Sequence, residues 1–438
     1  MKEDVVIHWF RRDLRLHDNR ALFHALSSGY KVVCIFIFDE LILSDLKDLP
    51  TVLQYDRRMI FIRKSLNNIN TQLKEYASSI HEFYGKPFEV WKKIIFSYSI
   101  KGVYFNHDYE PYAIKRDDTI RSLFAEHGIH TISYKDQCYF EKTEVVKKDG
   151  LPYSVFTPYK NAWLEKYQNL QKEKFPSQLL LGNMYKSIQE HITLKELGFL
   201  DEDISFPSTD IAPSLFQNYG NTRDYPSLDG TSKLGIHLRF GTISIRKLIY
   251  FVERFHISFL NELIWRDFYM MILANFPHII SKSFKPAYDQ IQWINDEEHI
   301  QAWKAGKTGY PLVDAGMREL LETGHMHNRV RMVTASFLTK HLLVDWRIGE
   351  AWFAKHLIDY ELSSNNGGWQ WASGSGCDAA PYFRVFNPSL QQEKFDKSLS
   401  YIKKWIPEYG TTDYPKPIIE HEFARKRAID TYKRYLSV

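Results

Sequence analysis

The chain has 438 residues, of which 44% are hydrophobic and 25% charged, and its formal net charge is +4. This composition is typical of a globular protein, and the length exceeds one ordinary core, so we expect two domains. The three cysteines form no CxxC pair, which disfavours a metal or iron–sulfur site and indicates a reducing compartment. No apolar run approaches the roughly 18 residues of a membrane span, and no leader peptide is visible. We therefore expect a cytoplasmic protein that does not cross a membrane.

The first part of the chain alternates strand-like and helix-like segments. Strands are predicted at Val5–Phe10, Lys31–Phe38 and Gly102–Asn106, with weaker signals near 80–84 and 130–135. Helical patterns lie between them, as at 19–27 and 57–76. This alternation predicts βαβ units and a doubly wound, mostly parallel sheet. No GxGxxG follows any of these strands, so the dinucleotide-binding fingerprint is absent here.

The character of the sequence changes twice further along. From about 138 to 225 it is irregular, polar and rich in proline, as expected of a connector. Beyond Thr231 apolar residues recur at helical spacing, and strand signals are scarce. We therefore predict an α/β domain at 1–130, an interdomain connector at 131–208 and an all-α domain at 209–438.

The stretch from Asp359 to Asn387 carries the densest set of unlike functional groups. It holds two acidic residues, adjacent carboxamides, a Gly-Gly pair and two tryptophans, followed by Asp378 and Arg384. Glycines allow close backbone approach, amides offer donors and acceptors, and indoles offer flat faces. A Gly-rich loop between helices would need few of these groups. We predict a site for a large, flat ring system with polar edges.

Two other clusters have both a functional and a structural interpretation. Gly230, Thr231 and Ser232 precede a helical pattern, which predicts a phosphate site at a helix N-terminus or a plain helix cap. Glu262, Trp265 and Arg266 share one helical face, which suits either the binding of a base or an interface between helices.

Histidines, arginines and tryptophans in the second half have less specific patterns. His325 and His327 form an isolated HxH, for which a structural role is expected rather than a metal site. A guanidinium buried near them needs a carboxylate, and Asp359 is the candidate. Trp293, Trp346 and Trp369 are either ordinary core residues or an electron relay; their spacing does not distinguish these roles.

In this order, the segments VIHWFRRDLRLHDNRAL, HNRVRM, NNGGWQW and DAAPYFRVFNP resemble the cryptochrome/photolyase family, and in particular class I cyclobutane pyrimidine dimer DNA photolyases. The resemblance covers nearly the whole chain. It implies an N-terminal antenna-chromophore domain and a C-terminal helical domain that binds FAD, with the reduced form FADH⁻ active.

The same resemblance implies three sets of site residues. The residues expected to bind the cofactor are Tyr219, Thr231, Ser232, Leu234, Gly235, Asn328, Arg331, Asp359, Glu361 and Asn365, with Arg331 and Asp359 forming a salt bridge beside the flavin ring. Those expected to bind DNA or the lesion are Arg223, Glu262, Trp265, Asn328, Arg329, Met332, Trp371 and Arg384. Those expected to take part in catalysis or photoreduction are Glu262, Asn365, Trp369, Trp346 and Trp293.

The activity implied is light-dependent splitting of cyclobutane pyrimidine dimers in double-stranded DNA by a monomeric enzyme. A blue-light photoreceptor cryptochrome is the alternative, and a (6-4) photolyase is disfavoured because Asn328 and Met332 stand where those enzymes carry histidines. A second chromophore would be a folate pterin, a deazaflavin or a flavin, and an empty antenna site is the alternative. Tyr112 and Ala113 replace the Asn-Glu pair of folate-using relatives.

Overall fold

A computed structural model describes residues 2–47, 53–255 and 257–436. It contains a five-stranded parallel sheet in the order β3-β2-β1-β4-β5. The strands are β1 (Asp4–Phe10), β2 (Lys31–Asp39), β3 (Ile80–Gly85), β4 (Ser99–Asn106) and β5 (His130–Tyr134). All five strands expected from the sequence are confirmed, and so is the doubly wound parallel sheet.

The described residues also form eighteen α-helices. The first nine are α1 (Arg20–Leu26), α2 (Glu40–Asp45), α3 (Arg57–Leu73), α4 (Pro87–Ser97), α5 (Pro111–Glu126), α6 (Phe156–Gln168), α7 (Pro213–Thr222), α8 (Gly235–Phe240) and α9 (Ile245–Val252). The others are α10 (Ile257–Asn275), α11 (Glu297–Lys304), α12 (Pro311–Thr323), α13 (Asn328–Ser336), α14 (Trp346–His356), α15 (Leu362–Ser373), α16 (Pro388–Phe395), α17 (Ser400–Trp405) and α18 (His421–Leu436).

Five short segments complete the regular structure. Four are 3₁₀ turns, at Lys74–Tyr76, Ser177–Asn183, Pro277–Ile280 and Pro286–Gln290. The fifth is a π-helical turn at Phe337–His341, directly after α13. No helix in the described ranges is long and apolar enough to cross a membrane.

The central strands are almost continuously apolar because helices cover both faces of a parallel sheet. Every residue of β1 after Asp4 is buried, as is every residue of β2 after Lys31. Trp9 and Trp91 meet edge to face at 5.5 Å between ring centroids in this core. The fully buried strands explain why short apolar runs could be recognised in the sequence.

The chain forms two compact units, each assembled from separate stretches. One comprises residues 1–141, 169–210 and 234–251, and contains the sheet. The other comprises 142–168, 211–233 and 252–438, and is helical. The domain limits predicted at residues 131 and 209 stay predictions. The predicted domains are continuous in sequence, whereas each compact unit combines three separate stretches of the chain.

The stretch expected to be an irregular connector contains the helix α6. Three of its buried side chains, Tyr159, Trp163 and Tyr167, recur every four residues and so lie on one face. The indole of Trp163 donates a hydrogen bond to the buried carboxylate of Asp267 on α10, at 3.0 Å. The polar residues and prolines around α6 hid this aromatic stripe in the sequence.

Candidate active site

Helix α15 is fixed in its rotation by two buried amides. Asn366 and Gln370, 0% and 1% exposed, both donate to the carbonyl of Ile279, at 2.9 and 3.0 Å. Gln370 also donates to Asn366 Oδ1 and to the carbonyl of Lys282, and accepts from the amide of Phe284. A buried amide left without partners costs about 1–3 kcal/mol, so this network strongly favours one rotation of the helix.

Two glycines allow neighbouring helices to approach α15 closely. A Cβ added at Gly367 would lie 2.2 Å from the ring of Tyr269 on α10. A Cβ added at Gly349, on α14, would lie 2.1 Å from the indole of Trp369 on α15. These separations are far below van der Waals contact, so no larger residue fits at either position without displacement. The helices α10, α14 and α15 thus form one tightly packed group.

The fixed rotation directs Asn365 toward α14. Its Nδ2 donates to the backbone carbonyl of Glu350 at 3.1 Å. The Glu350 side chain has a buried oxygen, Oε1, with no hydrogen-bond partner among the described residues. Burial raises the pKa of Glu350 to about 7, although the Asn365 amide and Arg347 act in the opposite direction. The sequence analysis overlooked Glu350, whose only signal was an acidic residue one turn beyond Trp346.

The ion pair expected between Arg331 and Asp359 is present. A terminal nitrogen of Arg331 lies 2.9 Å from Asp359 Oδ2, and its Nε donates to the carbonyl of Met326 at 2.7 Å. Burial raises the pKa of Asp359, but Arg331 and His325 outweigh this effect and hold the pKa below its ordinary value. A second pair, Arg266 with Glu361 at 3.0 Å, is almost fully buried.

Glu262 and Arg266 therefore pair with different elements rather than with each other. Glu262 forms an ion pair with Arg223, which follows α7. Burial raises the pKa of Glu262, and the Arg223 guanidinium only partly opposes the increase. Because its pKa is raised, the Glu262 carboxyl group can be protonated and donate a hydrogen bond to a polar ligand, or accept one when it is ionised.

The aromatic face expected to contact a base is already partly covered. The ring of Trp265 stacks on Phe156 of α6 at 3.6 Å between centroids and 6° between planes. Tyr269 lies on the same helix as Trp265, with its ring centroid 5.5 Å away. Trp371 makes a looser contact with Phe386, at 6.4 Å. The stacking of Trp265 and Trp371 on a lesion stays a prediction. Trp265 can contact a lesion only with the part of its ring that Phe156 does not cover.

Two other predicted lesion residues lie together at the start of α13. Asn328 is exposed, Met332 is half-buried, and Asn328 Nδ2 lies 4.0 Å from Met332 Sδ. His327 caps this helix, because its Nδ1 accepts from the amide of Arg329. His325 Nδ1 lies 3.5 Å from Glu319, so both histidines have structural contacts. No group of three potential metal ligands occurs in the described ranges.

The three arginines predicted to contact phosphate differ in their pairing. Arg223 is paired with Glu262, and Arg329 lies 2.7 Å from Asp224. Arg384 is exposed, follows α15 in an irregular segment, and has no carboxylate partner among the residues described. It is the one of the three whose charge is not already compensated by an acidic side chain.

The predicted phosphate site at Thr231 and Ser232 does not have the expected helix. Helix α8 begins at Gly235, and its N-cap position is Leu234 rather than Thr231 or Ser232. Neither hydroxyl is therefore an N-cap, and this part of the prediction was wrong. The positive φ of Lys233, 52°, interrupts the helical conformation that the local pattern suggested.

The division between the two units runs through the same segment. Thr231 and Ser232 belong to the helical unit, whereas Leu234 and Gly235 belong to the unit with the sheet. Tyr219, also in the helical unit, packs its ring edge to face on Phe259 at 5.0 Å. The cofactor contacts expected of these residues stay predictions.

The three predicted relay tryptophans share one core. Trp369 and Trp346 are 2% and 1% exposed, and Trp293 packs against the same cluster. Trp369 meets Phe353 at 4.9 Å and Trp303 at 6.0 Å between ring centroids. The sequence analysis did not single out Trp303, since one more buried indole has no distinguishing local pattern.

The helical unit has the groups that a bound flavin would require. Three packed helices carry buried oxygens with no hydrogen-bond partner in the described part of the chain: Asn261 Oδ1, Glu350 Oε1 and Ser363 Oγ. Buried polar atoms are normally paired, so these three oxygens are available to accept a hydrogen bond from water or from a bound ligand. Together with the Asn365 amide and the Arg331–Asp359 pair, they fit a ring system with polar edges.

A different charge network occupies the end of β1 and β4 in the unit with the sheet. Arg12 contacts Asp108 at 3.1 Å and Glu110 at 3.0 Å, and Arg11 contacts Asp117 at 2.6 Å. In a doubly wound sheet, ligands bind where the strand order reverses, which here is between β1 and β4. Tyr112 and Ala113, which the sequence analysis considered for a second chromophore, follow β4 in the same region.

The raised pKa of Glu350 gives a prediction about stability. An unfolded glutamate ionises near its ordinary pKa of about 4.3, so wild-type protein should lose stability relative to Glu350→Gln as pH rises from about 5 to about 8. The stability advantage of the glutamine variant should therefore be greater at the higher pH, by on the order of 1–3 kcal/mol. Urea unfolding at both pH values measures this difference. A difference that is independent of pH would contradict the burial effect.

Comparisons with known proteins agree with this geometry. Residues 6–178 match the family model "DNA photolyase", and residues 259–412 match "FAD binding domain of DNA photolyase". The deoxyribodipyrimidine photo-lyase of Alkalihalophilus pseudofirmus is 34% identical over 97% of both chains. That of Escherichia coli is also 34% identical, over 97% of this chain and 98% of the relative.

Solved structures give the same result. A bacterial class III photolyase from Agrobacterium tumefaciens superimposes with a TM-score of 0.85 at 30% identity, covering 100% of this chain and 99% of its own. An archaeal photolyase from Sulfolobus tokodaii, described with two FAD molecules, gives a TM-score of 0.78 at 32% identity and covers 98% of this chain and 100% of its own. The class I subtype stays a prediction. The helical unit is an FAD-binding domain, and the chain belongs to the photolyase/cryptochrome family.

Proposed function

We propose that this protein is a light-dependent DNA repair enzyme that splits cyclobutane pyrimidine dimers. The observation that carries the proposal is the placement of Asn365, held by the anchored helix α15, beside unpaired polar atoms in an FAD-binding domain. Its relatives over nearly the full length are named deoxyribodipyrimidine photo-lyase. When bound, reduced FAD supplies under blue light one electron that breaks two carbon–carbon bonds of the dimer and then returns.

The residues of the chain contribute binding and orientation rather than proton abstraction. Asn365 offers an amide to the flavin edge, and the Arg331–Asp359 pair places opposite charges beside it. Glu262, with a raised pKa, is suited to hydrogen-bond a carbonyl of the everted pyrimidines. Enzymes that act on a base often extrude it, and a damaged base costs less to extrude, which supplies part of the selectivity.

The substrate is double-stranded DNA, bound by a monomer in the cytoplasm. Arg384 has an uncompensated charge for the phosphate backbone, whereas Arg223 and Arg329 must exchange their carboxylate partners for phosphate. A signalling cryptochrome is the alternative, and the Asn365 amide favours repair over it. A second chromophore, a folate pterin, deazaflavin or flavin, would bind near β1 and β4.

Repair is tested directly with a duplex oligonucleotide that contains one cyclobutane thymine dimer. Protein with chemically reduced FAD should restore the two thymines under blue light and not in the dark, as measured by chromatography of the digested DNA. Heat-denatured protein is the control for direct photolysis. Dimers that persist under blue light with fully reduced cofactor would refute the proposal.

The Arg331–Asp359 pair gives a prediction about cofactor binding. Replacement of Asp359 by Asn removes the negative charge and leaves the half-buried Arg331 guanidinium without a counter-charge, so FAD should dissociate more readily. Loss of a charge-assisted hydrogen bond, about 1.5–3 kcal/mol, corresponds to roughly ten- to hundredfold weaker retention. Dialysis followed by flavin absorbance measures it.

Glu408→Gln is the matched control for Asp359→Asn. It removes the acid of another arginine–carboxylate pair in the same unit, Arg318 with Glu408 at 2.6 Å. FAD retention should stay at the wild-type level in this variant. Equal loss from both variants would indicate general destabilisation rather than a role at the cofactor.

The tryptophan core gives a prediction about photoreduction. Trp369→Phe removes the innermost indole of the proposed relay and should strongly slow light-driven reduction of oxidised FAD by an external thiol. Trp303→Phe, which changes an indole in edge contact with Trp369, is the matched control and should keep the wild-type rate. Equal rates in Trp369→Phe and wild type would contradict the relay.

A further inference from the structure

Lys340 is a buried lysine to which no role has been given above. It lies on the π-helical turn Phe337–His341, and only 1% of the residue is exposed. Its Nζ donates a hydrogen bond to the backbone carbonyl of Arg384 at 2.8 Å. No carboxylate pairs with Lys340 in the described part of the chain. Lysine is rarely fully buried without an acidic partner, because desolvation of its charge is costly.

The carbonyl that Lys340 contacts belongs to a partly exposed segment whose one basic residue is Arg384 itself. Residues 378–387 connect α15 to α16, and within them Phe383 is 59% exposed and Arg384 is also exposed. The ring of Tyr382 packs parallel to Tyr432 of α18, with 6.1 Å between centroids and 12° between planes. Lys340 is thus the polar anchor of the segment and Tyr382 its aromatic anchor.

Among the residues that the structure describes, no charged or titratable group around the π-helical turn forms an ion pair with Lys340. His341 on the same turn is fully buried, and burial lowers its pKa to about 3, so it is neutral. From α18, His421 lies 2.9 Å from His341, and Arg427 donates to the carbonyl of His341. Lys340 therefore lies beside the neutral His341, and the charge that acts on it is the Arg384 guanidinium.

We propose that Lys340 is a positioning residue that holds Arg384 for contact with a DNA phosphate and takes up a proton when the phosphate binds. The inference rests on the proposed function, because it requires DNA at residues 378–387. Its physical basis is the absence of a counter-ion: until an anion arrives, Lys340 and Arg384 repel each other. A phosphate at Arg384 supplies the missing negative charge and favours the ammonium form.

The titration of Lys340 supports this coupling. Burial, with a smaller contribution from the Arg384 guanidinium, lowers the pKa of Lys340 to about 7. Near neutral pH the free protein thus contains both forms, and an anion that raises the pKa converts amine to ammonium. The neutral amine can still donate to the Arg384 carbonyl, so the hydrogen bond and the charge are separable functions.

The first test needs no variant. Titration calorimetry of the FAD-loaded wild-type protein with a duplex containing one cyclobutane thymine dimer is run at pH 7 in two buffers of different ionisation enthalpy. The inference expects uptake of a fraction of a proton per complex, and binding that weakens roughly three- to tenfold from about pH 6 to about pH 8 at constant salt. Binding without proton uptake at pH 7 would overturn it and leave the proposed function intact.

Two substitutions separate the charge from the hydrogen bond. Lys340→Gln keeps a donor without a charge, and Lys340→Met keeps only the apolar stem. Both should lose the component of proton uptake that belongs to Lys340. The methionine variant should also lose affinity and show a salt dependence that is lower by up to about one phosphate contact, because Arg384 is no longer held.

Controls distinguish this inference from loss of the fold and of the proposed function. FAD absorbance and thermal unfolding establish that each variant is folded. Lys394→Met is the control substitution, because it removes an exposed lysine close to Arg384 in sequence. Undiminished proton uptake in Lys340→Gln would refute the role of Lys340. Failure of wild-type protein to bind the damaged duplex at all would instead refute the proposed function.

Discussion

The anchoring of α15 by Asn366 and Gln370 is the interaction on which the candidate site depends. These amides have no access to water, and they are satisfied only when the helix has one rotation against the segment around Ile279. Once that rotation is fixed, Asn365 faces α14 and Trp369 enters the core beside Gly349. The direction of the Asn365 amide is thus held by its neighbour in sequence, Asn366, which binds the carbonyl of Ile279 instead of α14.

The charged residues discussed for the helical unit are of two kinds, those in ion pairs and those without an ion-pair partner. Arg331 with Asp359 and Arg266 with Glu361 are compensated pairs, which hold their geometry over a wide range of pH. Lys340 is buried, Glu350 is half-buried with one buried oxygen, and neither has an ion-pair partner among the described residues, so desolvation moves the pKa of each to about 7. One of these groups lies beside Asn365 and the other beneath Arg384. Unlike the pairs, both respond to a charge that arrives from outside the chain.

The local sequence was sufficient to predict a structural feature where that feature depends only on neighbouring residues. The strands were recognised because a parallel sheet covered on both faces needs uninterrupted apolar runs. The residue pattern required only a carboxylate for a buried guanidinium and named Asp359, whereas its pairing with Arg331 was implied by the family resemblance. Helix α6 and the start of α8 were missed for local reasons too: polar neighbours concealed one aromatic stripe, and the positive φ of Lys233 was not visible in the residue pattern.

By itself the sequence determined the family, the sheet, the helical cofactor domain and the set of polar residues available to the site. Only the tertiary structure decided that of two adjacent asparagines Asn366 anchors the helix and Asn365 faces α14. It also decided that Phe156 covers one face of Trp265 and that Glu262 pairs with Arg223. These outcomes join residues far apart in the chain, and their energies depend on burial, which arises only when the helices pack. The residue type determines which interactions a side chain can form, whereas packing determines its partner and its protonation state.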